Sequence, residues 1–471
     1  MRFTWLAVFL SAALLVHAAD KPAIRNVLFL ISDDLKASTL GCYGDKVVKT
    51  QNIDRLAQEG MVFDRAYCQG TWCAPSRQSF MFSRYEGAGE VNMGKHFRQN
   101  GIYSARVGKI YHMRVPGDII DGTDGQDVAS SWTEKFNSPG QEAHTPGDYA
   151  CLNLDIFTTE LEGRQSTRMP HREFVTVSYE GSGVYQPDWK TATKTIDLLQ
   201  KHGSEPFFLA AGFVRPHYPM VAPKRYFEMY PWEQIELPEV PEGEIDDIPA
   251  LGLAGNRNDR EPIGKLPDNQ KRMWAGYYAT ITYMDDQVGR VIDELERLGL
   301  RDSTAIVFTS DHGYHLGEHT FWEKANLHED VLRVPLIISV PGMKPGRTES
   351  LVELVDLYPT LSELLGLIAA KNVQGQSLVK VLQDPAANVR SAALTVGRNG
   401  HALRSQRWAY ARYADKTEQL YDMRKDPKQF TNLALSADHE KTVVSLRRQL
   451  DAKIKEFGLK SKEKKKRKSK K

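Results

Sequence analysis

Four strand-length apolar runs, each delivering charged side chains at its carboxyl end, constrain this chain more than any other feature. Asn26 to Ser32 runs into Asp33-Asp34, and Ser104 to Gly108 into Lys109 with His112 three residues on. Phe207 to Phe213 leads to Arg215-Pro216-His217, and Ala305 to Ser310 to Asp311-His312, with Lys324 in the following loop. Continuous apolar runs of this length mark strands buried on both faces, as in parallel sheets. Helix-period segments lie between them: Asn52 to Gly60, Thr191 to Gly203, and Asn269 to Gly299 with Tyr277, Ile281, Met284, Val288, Ile292 and Leu295 at three- and four-residue steps. The alternation predicts an α/β fold with a large, helix-flanked, mainly parallel sheet. In such sheets sites form at the carboxyl ends of the strands, where these charges sit.

Cys73-Ala74-Pro75-Ser76-Arg77 supplies a candidate nucleophile. Proline is tolerated in the first turn of a helix, so Pro75 marks a helix start with Cys73 at its N-terminal end. Partial positive charge there would shift a thiol toward thiolate, and Arg77, four residues on, shares the face and adds a fixed charge. For a lone cysteine the plain alternative is a structural residue before an ordinary helix.

Cys-x-Pro-Ser-Arg resembles the signature of the sulfatases. With Asn26 to Asp34, Gly41-Cys42-Tyr43-Gly44-Asp45, Gly108-Lys109 with His112, Arg215-Pro216-His217 and Thr309 to Gly313 with Leu316 to His319, the chain resembles the iduronate-2-sulfatase branch over residues 25 to 435. Many sulfatases carry Asp-Asn where this chain has Asp311-His312. The resemblance implies the alkaline-phosphatase/sulfatase-like fold and conversion of Cys73 to formylglycine by a maturation enzyme. It implies one divalent metal, usually calcium, held by Asp33, Asp34, Asp311 and His312 beside residue 73. Three carboxylates suit a hard cation, whereas imidazole is an unusual calcium ligand. It further implies that Arg77 and Lys109 stabilise the hydrated aldehyde and sulfate, that His112 takes a proton as the sulfated intermediate collapses, and that His217 and Lys324 bind sulfate, one of them protonating the leaving oxygen. The implied substrate is a sulfated carbohydrate. A phosphate or phosphonate ester hydrolase of the same superfamily and a non-catalytic binder of sulfated glycans are the alternatives.

Residues 1–19 read as a secretory signal, with Arg2, an apolar run from Leu6 to Val16 and small residues at Ala18 and Ala19, which predicts export to the periplasm or beyond and no membrane span. The expected domains are 20–390 (catalytic), 391–458 (a small α+β subdomain) and 459–471 (a basic tail). The tail from Lys460 holds nine Lys or Arg and one Glu, so subtracting its +8 from the net +2 leaves the body near −6. A body of that sign is no nucleic-acid binder, and an anionic substrate must be drawn by local cations. Of the four cysteines, three remain if Cys73 is converted, allowing at most one disulfide. Irregular stretches at 113–175 and 230–268 are expected pocket walls, with Trp132, Trp232 and Tyr185 as candidate sugar-stacking rings. His96, His315, His319 and His328 read as core or surface residues, and 350–366 as an amphipathic helix.

Overall fold

The computed structural model describes residues 24–164 and 171–460. The expected signal segment and all of the basic tail past Lys460 lie outside the described residues. The main sheet has eight strands: β1 (Asn26–Asp33), β2 (Met61–Phe63), β3 (Tyr103–Gly108), β4 (Glu134–Phe136), β5 (Phe207–Pro216), β6 (Thr304–Ser310), β7 (Leu336–Ser339) and β8 (Gly346–Thr348). Their spatial order is β8-β2-β7-β6-β1-β5-β3-β4. The central neighbours β6, β1, β5 and β3 are mutually parallel, and only β7 runs against its neighbours β6 and β2. The four apolar runs are therefore adjacent strands, and their charged ends meet at one edge of the sheet.

Strand alternation divides the core. Leu28 and Leu30 of β1 face the cluster built with α1 (Gln51–Glu59), α3 (Pro187–His202) and α4 (Pro267–Arg297), whereas Val27, Phe29 and Ile31 face the cluster containing Phe80 of α2 (Cys73–Phe82) and Tyr358. Burying both faces is what permits a run without polar alternation.

A second sheet of Asp148–Cys151, Ile156–Thr158, Val175–Tyr179 and Met220–Pro223 occupies part of the region expected to be irregular. The expected helix over 350–366 is shorter, Leu357–Leu364, preceded by a two-residue strand and a 3₁₀ turn. The Asp356 carboxylate accepts the Glu353 N–H at 2.8 Å in a capping box and pairs with Arg390, so the polar ends of this segment, not its apolar spacing, decide where the helix begins. The C-terminal part is a four-stranded antiparallel sheet (Ala392–Val396, Gly400–Ser405, Trp408–Tyr413, Glu418–Asp422) covered by α5 (Glu440–Glu456) through Val443, Leu446 and Leu450. The structure thus has the large helix-flanked, mainly parallel sheet and small α+β subdomain expected. Among the described residues no helix is long and apolar enough to cross a membrane, and the four cysteines are unpaired.

Candidate active site

Asp33 and Asp34 leave β1 just where its register against β5 shifts. Asp34 adopts a left-handed backbone conformation (φ 63°), which aspartate tolerates better than most residues and which turns consecutive carboxylates toward one point. Its carbonyl accepts the Tyr277 hydroxyl at 2.5 Å and its N–H donates to Asp311 at 3.2 Å, so α4 and β6 hold the turn. Lys109 is placed by a close approach of strands: Gly108 has φ 71°, and a Cβ there would lie 2.3 Å from the Gly212 carbonyl oxygen.

Cys73 opens α2, as the proline predicts, and is 3% exposed. Its Sγ lies 3.4 Å from Asp33, 4.0 Å from Asp34, 3.4 Å from His312 Nε2, and 3.8 Å from both Lys109 Nζ and Lys324 Nζ. Lys324 Nζ is 2.6 Å from each Asp34 oxygen, and Lys109 pairs with Asp33. His217 Nε2 stands 3.7 Å from Asp34, while its Nδ1–H donates to the Tyr218 carbonyl at 2.6 Å. Three cations, Arg77, Lys109 and Lys324, thus surround three buried carboxylates, Asp33, Asp34 and Asp311.

Arg77 is fully buried and all its donors are engaged. Nε bonds Asp311 at 2.8 Å, Nη2 lies 3.2 Å from Asp33 and 3.4 Å from the Ser32 carbonyl, and Nη1 bonds the carbonyls of Lys109 and Ile110. It clamps two carboxylates and the Lys109 loop together and has no donor left for a substrate.

The charges bias the acids differently. Burial alone would raise Asp33, but Lys109, His217, Arg77 and Lys324 overcome it and hold this carboxyl well below the usual range. At Asp34 burial outweighs Lys324 and raises the acid. Burial and then Asp33 push the Cys73 thiol well above its ordinary value, which corrects the thiolate expected from the helix N-terminus. Burial, reinforced by Lys109, lowers His112 to about 4, and His112 Nδ1 is buried without a hydrogen-bond partner. Burial, reinforced by Lys324, lowers His217 well below its usual value.

Ligand atoms of Asp33, Cys73, Asp311 and His312 lie within 4.8 Å of one another, as do those of Asp33, Asp34, Cys73 and His217. The donor set fits a hard divalent cation: the buried carboxylates of Asp33, Asp34 and Asp311 converge at one point beside residue 73.

The structure brings Asp33, Asp34, Cys73, Arg77, Lys109, His217, Asp311, His312 and Lys324 into contact, with His112 beside them under the influence of Lys109, Asp33 and Arg77. Arg215 instead lies buried against Glu142 at 2.8 Å. Trp132 packs on Phe208 in the core, whereas Trp232 carries Arg272 over its ring at 3.9 Å and Tyr185 is exposed. His96 bonds Tyr358, and His315, His319 and His328 form a buried cluster, His315 meeting His319 edge to face and His319 tilted against His328. Sequence reading missed Tyr277 as the anchor of Asp34 and Ser76, whose hydroxyl bonds the Asp311 carbonyl. Tyr277 looked like any other residue on the apolar face of α4, and no spacing signals its hydroxyl.

The family model described as Sulfatase matches residues 25–367, and one described as N-sulphoglucosamine sulphohydrolase, C-terminal, matches 317–456. Iduronate 2-sulfatase of Homo sapiens is 34% identical over 77% of this chain and 74% of its own length. A protein solved with its substrate D-glucosamine-2-N,6-O-disulfate superposes with a TM-score of 0.72 at 21% identity, covering 94% of this chain and 100% of that one. The phosphonate monoester hydrolase of Agrobacterium radiobacter superposes with a TM-score of 0.74 at 22% identity, covering 92% and 96%.

Proposed function

The chain belongs to the sulfatase family, and from that premise we propose that it hydrolyses a sulfate ester of a sulfated carbohydrate, of the iduronate-2-sulfate type, through a formylglycine made from Cys73. The observation that carries this reading is the convergence on Cys73 Sγ of Lys109 and Lys324 at 3.8 Å and of a buried carboxylate set. A thiol raised by burial is a poor nucleophile, and chemical conversion removes that handicap. Once hydrated, a formylglycine supplies the hydroxyl that attacks sulfur. Asp33, Asp34, Asp311 and His312 would hold calcium, which supplies positive charge beside the sulfate oxygens.

The chain's own residues do the rest. Lys109 and Lys324 bind the anionic ester and neutralise charge on its non-bridging oxygens. His217, its Nδ1–H fixed on the Tyr218 carbonyl, presents a bare Nε2 to the pocket as an acceptor, and Lys324, which Asp34 keeps protonated, passes a proton to the leaving oxygen. His112 stays neutral down to about pH 4 and is a base ready to accept a proton from residue 73. Arg77 positions both carboxylates and the Lys109 loop. Residues 1–19 direct export, and a maturation enzyme meets Cys73 before folding closes over it.

Mass spectrometry of the Cys73 peptide from active protein, together with a screen of defined sulfated disaccharides and of phosphate and phosphonate esters, tests the reading. An aldehyde at position 73 with desulfation of a 2-O-sulfated uronate saccharide is expected. Full activity with an unmodified thiol refutes the mechanism. Turnover of phosphonate esters alone transfers the assignment to the activity named for the Agrobacterium neighbour.

A further inference from the structure

Lys324 enters the pocket from a turn that its surroundings hold in an uncommon backbone conformation. Glu323 and Ala325, on either side of it, have φ of 68° and 77°, a region that side-chain-bearing residues keep only where neighbouring contacts enforce it. Those contacts come from two directions. The Ala325 N–H donates to the Thr71 carbonyl at 3.0 Å, and Glu323 lies opposite His315 in the short hairpin of His315–Leu316 with Trp322–Glu323. Residues 256–258 run along that hairpin: the Trp322 N–H donates to the Asn256 carbonyl at 3.0 Å, and the Asn258 N–H to the Thr320 carbonyl at 2.9 Å.

A pair of carboxyl groups completes the turn. The Asn256 side-chain amide donates through one nitrogen to Glu323 Oε2 at 2.9 Å and to Glu173 Oε1 at 3.1 Å, so the two carboxyl groups stand within the span of two hydrogen bonds. Glu173 comes from the 3₁₀ turn Arg172–Phe174 that leads into the second sheet, and Glu173, Asn256 and Glu323 are all half-buried. The Tyr218 hydroxyl also donates to Glu323, while its ring carries Lys324 Nζ at 5.2 Å and lies 4.2 Å from the His217 ring. Tyr218 thereby ties the carboxyl pair to two of the groups that the pocket presents to an ester.

Two carboxylates this close do not both ionise readily away from water. Glu323 faces Glu173, Asp34, Tyr218 and Tyr314, with Lys324 as the opposing cation. Glu173 in turn faces Glu261, with Arg172 and His171 opposing. Burial and then Glu173 outweigh Lys324 and push Glu323 up to about 7, and burial raises Glu173 as well. A neutral carboxyl suits this position: it holds Tyr218 and the turn by hydrogen bonds without adding negative charge beside a cation that must attract an anion. Ionised, it would compete with Asp34, whose two oxygens lie 2.6 Å from Lys324 Nζ, for the same ammonium.

We propose that Glu323, bridged through Asn256 to Glu173, is a positioning residue for Lys324 and Tyr218, and that the competent enzyme keeps one proton on this carboxyl pair. Loss of that proton weakens the pocket's hold on an anionic ester. The inference rests on the sulfatase reading only for the anion that Lys324 serves.

Two measurements on the full chain test it. Binding of inorganic sulfate, a dianion throughout, is followed by calorimetry from pH 6 to 8.5, and in the wild type should weaken by about tenfold as the pair loses its proton. Glu323→Gln keeps the shape and the Asn256 bond but has no proton to lose, and should hold its low-pH affinity across the range. Glu173→Gln removes the like charge, so the fall should begin at lower pH. Glu323→Ala loses the brace as well and should bind weakly at both ends, so that recovery in Glu323→Gln separates positioning from damage to the fold. Infrared difference spectra of the wild type over the same range should show the carbonyl stretch of a protonated carboxylic acid disappearing, a band that Glu323→Gln lacks. A Glu323→Gln affinity profile that follows the wild type, or the absence of the infrared band, overturns the proposal. Absence of sulfate binding at every pH in aldehyde-bearing wild type would refute the sulfatase reading, while the infrared band, independent of it, still decides whether the pair holds a proton.

Discussion

Arg77→Ala should be the most damaging single substitution in the site, for a reason that lies in the folded state. The guanidinium is fully buried and is the partner of Asp311 at 2.8 Å and of Asp33 at 3.2 Å. Removing one member of a buried ion pair typically costs about 3–5 kcal/mol, because the remaining charge is left without compensation. The carbonyls of Lys109, Ile110 and Ser32 also lose donors, each at about 1 kcal/mol, so a total of roughly 6 kcal/mol is expected. Urea denaturation followed by tryptophan fluorescence, in chelator so that metal loss does not enter, should show a midpoint lower by about 1 M or more for a chain of this size. Arg77→Lys keeps a charge but not the fork, and should recover less than half of the loss. A cycle with Asp311→Asn isolates the pair, and its coupling energy should exceed about 2 kcal/mol. An Arg77→Ala midpoint indistinguishable from wild type, or a coupling near zero, would show that the clamp does not organise the site.

Three further outcomes are expected. A divalent cation should stabilise the wild type by about 2.7 kcal/mol at a hundredfold excess over Kd, read as a higher melting temperature that chelation reverses, and Asp34→Asn or Asp311→Asn should abolish the response; an intact response in both variants would place the metal elsewhere. His112→Ala should lower kcat on the order of a hundredfold with a smaller effect on KM, as for loss of a contact made in the transition state, and unchanged turnover would remove His112 from the mechanism. His315 is buried and lowered to about 4 by that burial, against an unfolded value near 6.5. Below about pH 6.5 the unfolded state takes up a proton that the folded state refuses until about pH 4, so this group withdraws ~3 kcal/mol of stability as pH falls through that window. Denaturation of His315→Gln across pH 4 to 7 should show a correspondingly flatter profile, and identical slopes would refute the assignment.

How much of the site was legible depended on whether a residue's role follows from its neighbours in sequence. The β1, β3, β5 and β6 runs announced buried parallel strands because a strand covered on both faces needs no polar alternation, and their charged ends named Asp33, Asp34, Lys109, His217 and Asp311. Pro75 located the start of α2, since a ring without an N–H belongs in a first turn. Such signals are local and survive in one dimension. The state of Cys73 is not local: the helix terminus favours a thiolate, yet burial among Asp33 and its neighbours wins and raises the thiol. Likewise the sequence offered Arg77 as a charge for substrate, and only the packed structure shows every donor consumed by carbonyls and carboxylates from β1, β6 and the loop after β3. The roles of Tyr277 and Ser76 depend on contacts between segments hundreds of residues apart. Residue types and strand ends were therefore written in the sequence, whereas desolvation and the competition for each hydrogen bond came into being only when the chain closed around them.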